Sequence, residues 1–267
     1  MTIDGKKIAE DIYERAREHV RTLSRAPKLT IVTCAPNFET KKYLVLKQKK
    51  AISIGVHIDV VELGLESTTE DFIACIQNVA QDADGIIVQF PLPTSVDSNA
   101  IVKQIPFTHD VDGLNPDNHG MRTPVVDAFK TILEQGGITV KEKLVTVIGN
   151  GRLVGLPAYH WFLEQGAYVS VVTRDTSDIQ EYTKNADIVV CGAGVPNLLT
   201  PDMVKDGVII LDAGTSEDGG ELKGDADPSC AEKASLFTPV PGGIGPITIA
   251  MLLSNVVDCA LRKRDVI

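Results

Sequence analysis

The feature that most constrains the fold of this chain is an alternation, occurring in two separate series, of short Val- and Ile-rich runs with segments of helical pattern. The first series holds apolar runs at 28–34, 56–63 and 85–90, flanked by helical stretches around 5–23, 40–54 and 69–80. The second holds runs at 144–149, 168–173, 187–191 and 207–212, with helical stretches around 153–165, 178–183 and 201–204. Strands alternating with helices imply right-handed β-α-β crossovers, and nearly continuous apolar runs imply parallel strands covered on both faces. The expected class is therefore α/β. A length of 267 residues allows two such domains, each with a core of its own. Between the series, residues 106–120 are rich in Asp, Asn, Pro and Gly and carry His109 and His119. They read as a long irregular segment, of a kind that is often functional, and they put the boundary near 120. A loop that includes Asp218-Gly219-Gly220 follows the second series. The Pro- and Gly-rich residues 239–246 come next, and then an apolar helix from about 247 to 261.

Composition enters as a set of exclusions. With 36 acidic against 26 basic side chains, the net charge is −10 and the pI near 5.0. That argues against a nucleic-acid binder, whose affinity comes from neutralising phosphates. The opening MTIDGKKIAEDI lacks the apolar core of a signal peptide, and no stretch reads as the roughly 18 apolar residues of a membrane span. Cys34, Cys75, Cys191, Cys230 and Cys259 are odd in number, far apart and without a C-x-x-C pair. They are expected to be reduced thiols of a cytoplasmic protein without a metal site.

Three groups of residues carry chemistry. Residues 144–148 lead into Gly149-Asn150-Gly151-Arg152-Leu153-Val154-Gly155 and then a helical stretch. Glycines there let the backbone approach a pyrophosphate, and the helix N-terminus supplies N–H groups and positive potential. Arg174 follows the next run, 25 positions after Gly149. An arginine in that region suits the 2′-phosphate of NADP, although Asp175 beside it leaves NAD open. Secondly, Tyr43 and Lys47 are four apart on one helix face, among Lys41, Lys42, Lys49 and Lys50. A phenol beside an ammonium can relay protons, and neighbouring lysines are expected to depress one another's pKa; a solvated basic face is the alternative. Thirdly, Gln89 closes an apolar run where open parallel sheets place their ligands, and Asp112 offers a carboxylate to an amidine-like ring edge. Taken alone, Gln89 also fits a strand-end hydrogen bonder, and Asp110 and Asp112 fit turn formers.

In this order the pieces resemble the bifunctional methylenetetrahydrofolate dehydrogenase/methenyltetrahydrofolate cyclohydrolase family. The matching stretches are Ile3-Asp4-Gly5-Lys6-Lys7-Ile8-Ala9, Tyr43-x-x-x-Lys47, Gln89-Phe90-Pro91-Leu92-Pro93, Asp110-Val111-Asp112-Gly113, Val154-Gly155-Leu156-Pro157 and Thr238-Pro239-Val240-Pro241-Gly242-Gly243-Ile244-Gly245-Pro246-Ile247-Thr248. The resemblance runs essentially end to end. It implies a folate-binding catalytic domain over 1–120, completed by a returning helix at 247–267, and a Rossmann-type NADP domain over 121–246. It implies oxidation of 5,10-methylenetetrahydrofolate with NADP, then hydrolysis of the methenyl product to 10-formyltetrahydrofolate, in the one-carbon metabolism that feeds purine biosynthesis. It further implies a homodimer, with no nucleic-acid or membrane partner.

Carried over residue by residue, Lys47 would be the catalytic lysine of hydrolysis, Gln89 would tune it, Tyr43 would position the folate and Asp112 would bind the pterin edge. Gly243, Pro246 and Thr248 would shape the folate site. Gly149, Asn150, Gly151, Arg152, Val154, Gly155, Arg174 and Thr215 would bind the cofactor. The chain departs from the family's usual G-R-S-x-x-V-G-x-P at Asn150 and Gly151, and from P-C-T-P at Met121-Arg122-Thr123-Pro124. A cyclohydrolase with a weakened or NAD-preferring dehydrogenase is the second reading. A non-catalytic nucleotide-binding regulator, which would have no need of Tyr43, Lys47, Gln89 and Asp112 together, is a remote third.

Overall fold

The computed structural model of the chain describes residues 1–36, 38–218 and 220–264. Two compact units emerge. Residues 10–123 and those from 249 onward form one; residues 1–9 and 124–248 form the other. Each is α/β, as the alternation predicts.

The first unit contains most of α1 (Gly5–Val20), then β1 (Lys28–Cys34), α2 (Phe38–Ile54), β2 (His57–Leu63), α3 (Thr69–Val79), β3 (Gly85–Val88) and α4 (Ser98–Lys103). Its three strands are parallel, in the order β2-β1-β3. β3 reads Gly-Ile-Ile-Val and is buried at every position, as expected for a strand covered on both faces. α3 starts at a reciprocal capping box between Thr68 and Asp71 and buries Phe72 and Ile76, one turn apart. Beyond β3 the irregular segment is anchored by Ile86 N–H donating to His109 O (2.7 Å). His109 itself is a packing residue: its ring meets Lys263 Nζ at 2.8 Å, and burial followed by that cation pushes its pKa down.

The second unit contains α5 (Pro124–Gln135), β4 (Leu144–Ile148), α6 (Gly155–Glu164), β5 (Tyr168–Val172), α7 (Gln180–Thr183), β6 (Ile188–Cys191), β7 (Ile209–Asp212), the hairpin β8 (Ser216–Asp218) and β9 (Glu221–Lys223), and β10 (Leu236–Phe237). Five parallel strands lie in the order β10-β7-β6-β4-β5. The chain thus leaves β4 for β5 on one side and returns to β6 on the other, which makes the β4/β6 boundary a topological switch point. Residues 1–3 run beside β10, with Ile3 N–H donating to Phe237 O (2.9 Å). That pairing groups the first nine residues with this unit rather than with the sequence that follows them.

The last helix, α8 (Ile244–Arg264), returns to the first unit from residue 249. Asn255 Nδ2 donates to Val111 O (2.9 Å) and Lys263 Nζ to Ala83 O (2.6 Å). Contrary to the sequence reading, this helix is long and apolar enough to cross a membrane by length and composition. Leu253, Val256 and Val257 are nevertheless fully buried, so its apolar surface belongs to the core. Four other elements depart from expectation. The stretch 201–204 is only a 3-10 turn at Pro201–Met203, α4 and α5 were not anticipated, and the loop around 218–220 is a hairpin whose Gly219 lies outside the described residues.

Candidate active site

α2 and the end of β3 bring Lys47 and Gln89 together. Lys47 Nζ donates to Gln89 Oε1 (2.9 Å), while Gln89 Nε2 donates to Phe90 O (2.9 Å). The second bond fixes which end of the carboxamide faces the lysine. Gln89 N–H still donates to Val32 O (2.8 Å), so the side chain leaves a backbone held by the sheet. Burial pushes Lys47 below the ordinary lysine pKa, and Asp112 pulls it back up. Asp112 is pushed up by its own burial; Lys47 opposes that shift and Asp110 adds to it. A neutral amine held by one N–H keeps a lone pair for a proton.

The lysine cluster does not supply this effect, as the sequence reading had it. Lys41, Lys42 and Lys49 are exposed, and Lys50 lies over the Tyr13 ring at 5.0 Å. Desolvation lowers the Lys47 pKa. Tyr43, one turn before Lys47 on α2, is half-buried. The two aspartates of the D-V-D-G stretch divide their work. Fully buried Asp110 accepts from Leu114 N (3.0 Å), Asn115 N (3.1 Å) and Asn118 Nδ2 (3.2 Å), fixing the loop that presents Asp112. Gly113 has φ +63°, and a Cβ there would lie 2.9 Å from the Thr123 backbone nitrogen.

In the other unit the Gly-rich turn links β4 to α6. Gly149 has φ +94°, and a Cβ on it would lie 2.7 Å from Gly192 O; one on Gly155 would lie 2.0 Å from Gly149 O. Val154 packs on Gly192, where a Cβ would meet it at 2.5 Å. The result is a side-chain-free, closely packed backbone turn at the N-terminus of α6, a form that fits a dinucleotide pyrophosphate. Asn150 and Gly151 are exposed at its rim and Arg152 is half-buried. Gly151 has open space where a Cβ would stand, so sterics do not explain the loss of the family's serine. Arg174 is exposed in the turn just after β5, and Thr215 is exposed between β7 and β8. Gly243, Pro246 and Thr248 belong to this same unit. Gly243 is buried, a Cβ on Gly5 would lie 1.7 Å from its carbonyl oxygen, and Thr248 Oγ1 donates to Ile244 O (3.1 Å).

Sequence reasoning passed over Asp212 and Asp225, which lie buried beside the loop after β6. Their only trace was two acidic residues each flanked by glycine within a few positions.

Residues 3–112 match the model of the tetrahydrofolate dehydrogenase/cyclohydrolase catalytic domain, and residues 123–264 that of the NAD(P)-binding domain of the same family. The bifunctional protein FolD of Halothermothrix orenii is 36% identical, with 96% of each chain covered. Among solved structures, the bifunctional FolD of Campylobacter jejuni superposes with TM-score 0.93 at 33% identity, covering 98% of this chain and 99% of that one. The Trypanosoma brucei methylenetetrahydrofolate dehydrogenase-cyclohydrolase, complexed with NADP cofactor and inhibitor, gives 0.92 at 31% identity, with 99% and 98% covered. With both domain models matched in order and the whole length shared with these relatives, the chain belongs to the tetrahydrofolate dehydrogenase/cyclohydrolase family.

Proposed function

We propose that this protein oxidises 5,10-methylenetetrahydrofolate with NADP and hydrolyses the resulting 5,10-methenyl form to 10-formyltetrahydrofolate. The observation that carries the reading is the half-buried Lys47–Gln89 pair with Asp112 acting on the same lysine. NADP, when bound at the 149–155 turn, supplies the hydride acceptor. The chain's own residues do the rest. Lys47, its pKa lowered by burial, takes the proton of the attacking water, and Gln89 keeps the amine aimed. Asp112 pairs with the amino-pyrimidine edge and Tyr43 positions the reacting carbon.

The second reading, a cyclohydrolase with weak or NAD-preferring hydride transfer, is favoured by Asn150 and by Gly151, which has no steric reason to be glycine. Initial rates with NADP and with NAD on methylenetetrahydrofolate, measured beside direct methenyl hydrolysis, decide between them. Comparable rates for both steps with NADP support the first reading, hydrolysis with slow or NAD-dependent reduction supports the second, and turnover of neither substrate overturns both. For the 2′-phosphate, Arg174→Ala is expected to raise the KM for NADP by about tenfold while leaving that for NAD within about twofold, as loss of one charge-assisted contact implies. An equal effect on both cofactors would sink the assignment.

A homodimer in the cytoplasm completes the proposal. Its support is the edge strand β5, which exposes Tyr168 at 63% beside its exposed register partner Leu144 of β4, and five free cysteines. Light scattering on the purified chain is expected to give twice its mass of 28.7 kDa; a monomer at micromolar concentration would refute the dimer.

A further inference from the structure

The loop after β6 carries three successive N–H groups that converge on one carboxylate. Asp225 Oδ2 accepts from Ala193 N (2.6 Å) and Gly194 N (3.1 Å), and its Oδ1 accepts from Val195 N (2.8 Å). Asp225 is fully buried. Successive backbone N–H groups of this kind form an anion-binding concavity. Here the concavity is filled from within the chain.

Its position gives the filling a consequence. The loop follows β6, and the first glycine of the β4 turn packs on it: a Cβ on Gly149 would lie 2.7 Å from Gly192 O and 3.1 Å from Ala193 Cα. These two loops leave the sheet at the β4/β6 switch point, where open α/β sheets hold their ligands. A vacant three-donor nest there would compete with the Gly-rich turn for a pyrophosphate. The surroundings are shaped to keep Asp225 in place. A Cβ on Gly214 would lie 2.1 Å from the Asp225 carboxyl carbon. Asp212 accepts from Gly214 N (3.0 Å) and Ala226 N (2.8 Å), and a Cβ on Gly224 would lie 2.2 Å from Asp212 Oδ2. Leu199 N–H donates to Asp225 O (2.9 Å), so the backbone of the two segments is joined as well.

We propose that Asp225 is a positioning residue for the dinucleotide: its carboxylate fills the nest at 193–195, fixes that wall of the switch-point crevice, and leaves the 149–155 turn as the anion site for the cofactor phosphates. This inference rests on the reading of that crevice as the NADP site. Burial pushes the Asp225 pKa up, and the three N–H donors oppose that shift.

The test uses the full-length chain without cofactor. In the wild type, amide hydrogen exchange at Ala193, Gly194 and Val195 is expected to be slow before NADP is added. Exchange at the rate of an open loop would overturn the proposal without any variant. The isosteric Asp225→Asn should speed exchange at these amides by about tenfold and weaken NADP binding, read by calorimetry, by a similar factor, since it removes charge-assisted bonds. Methenyl hydrolysis should stay within about twofold, because Lys47, Gln89 and Asp112 lie in the other unit. In Asp225→Ala, added formate should tighten NADP binding, an effect absent in the wild type. Unchanged NADP affinity in the Asn variant, or no response of the Ala variant to formate, would overturn the role of the carboxylate. Failure of the wild type to bind NADP would instead remove the cofactor reading, with the exchange pattern still reporting whether the nest is filled.

Discussion

Lys47→Met is expected to reduce methenyl hydrolysis by about a thousandfold, within the range that a positioned acid-base group supplies, while methylenetetrahydrofolate oxidation stays within about tenfold. The reason lies in what each step asks of the protein. Hydride transfer needs the two reactants held face to face and little proton movement. Hydrolysis needs a base at the attacking water, and Lys47 is the half-buried amine that holds Gln89 and feels the charge of Asp112. Methionine keeps the length and apolar stem but has no proton acceptor of use, so the local packing survives. The pH profile provides a second check. Burial favours the neutral amine, so the folded pKa is lowered and the active form accumulates as pH rises through it. Wild-type hydrolysis should therefore climb with pH, with a midpoint below the ordinary lysine value of 10.5. Hydrolysis by Lys47→Met at near the wild-type rate, or a profile flat from neutral to strongly alkaline pH, would show that another group takes the proton.

What could be read from the sequence was what periodicity and backbone sterics encode locally. β1 and the Lys47 face of α2 followed from apolar runs and from i, i+4 spacing. The glycines at 149 and 155 followed from the close approach their turn requires. The cause of the lowered Lys47 pKa was not legible, because desolvation depends on which other segments cover the amine, and nearby lysines were the only visible candidates. α5 was missed although Pro124 at its first position and buried Val125, Phe129 and Ile132 carry a helical signature. Asp225 was invisible for a deeper reason. It acts on a backbone loop some thirty residues earlier, and only the folded sheet reveals that the carboxylate and the three N–H groups meet.

The 149–155 turn allows its function to be separated from its packing by two substitutions that differ only in where the added methyl goes. A Cβ on Gly155 would lie 2.0 Å from Gly149 O and 3.0 Å from Asn150 Cα, all backbone that no rotamer change can clear. Gly155→Ala must therefore open the turn or push α6 away from β4. Overpacking of this kind costs about 1–3 kcal/mol, and about 2–4 °C of Tm accompanies each kcal/mol in a domain of this size. The closely packed form at the helix N-terminus is lost with the turn, so NADP binding is expected to weaken by about a hundredfold, the loss of several backbone contacts to phosphate. Methenyl hydrolysis, measured well below the transition, should persist within about twofold, since Lys47, Gln89 and Asp112 lie in the other unit. Gly151→Ala is the matched control. Nothing stands within 4 Å of a Cβ there, so Tm should be unchanged and NADP affinity should stay within about threefold, the scale of a neutral surface substitution. If Gly155→Ala lowered Tm but bound NADP as tightly as the control, the turn would be a packing device and the cofactor phosphates would have to sit elsewhere. If the two variants behaved alike in both measurements, the close approach of Gly155 to Gly149 would not be what holds the turn closed.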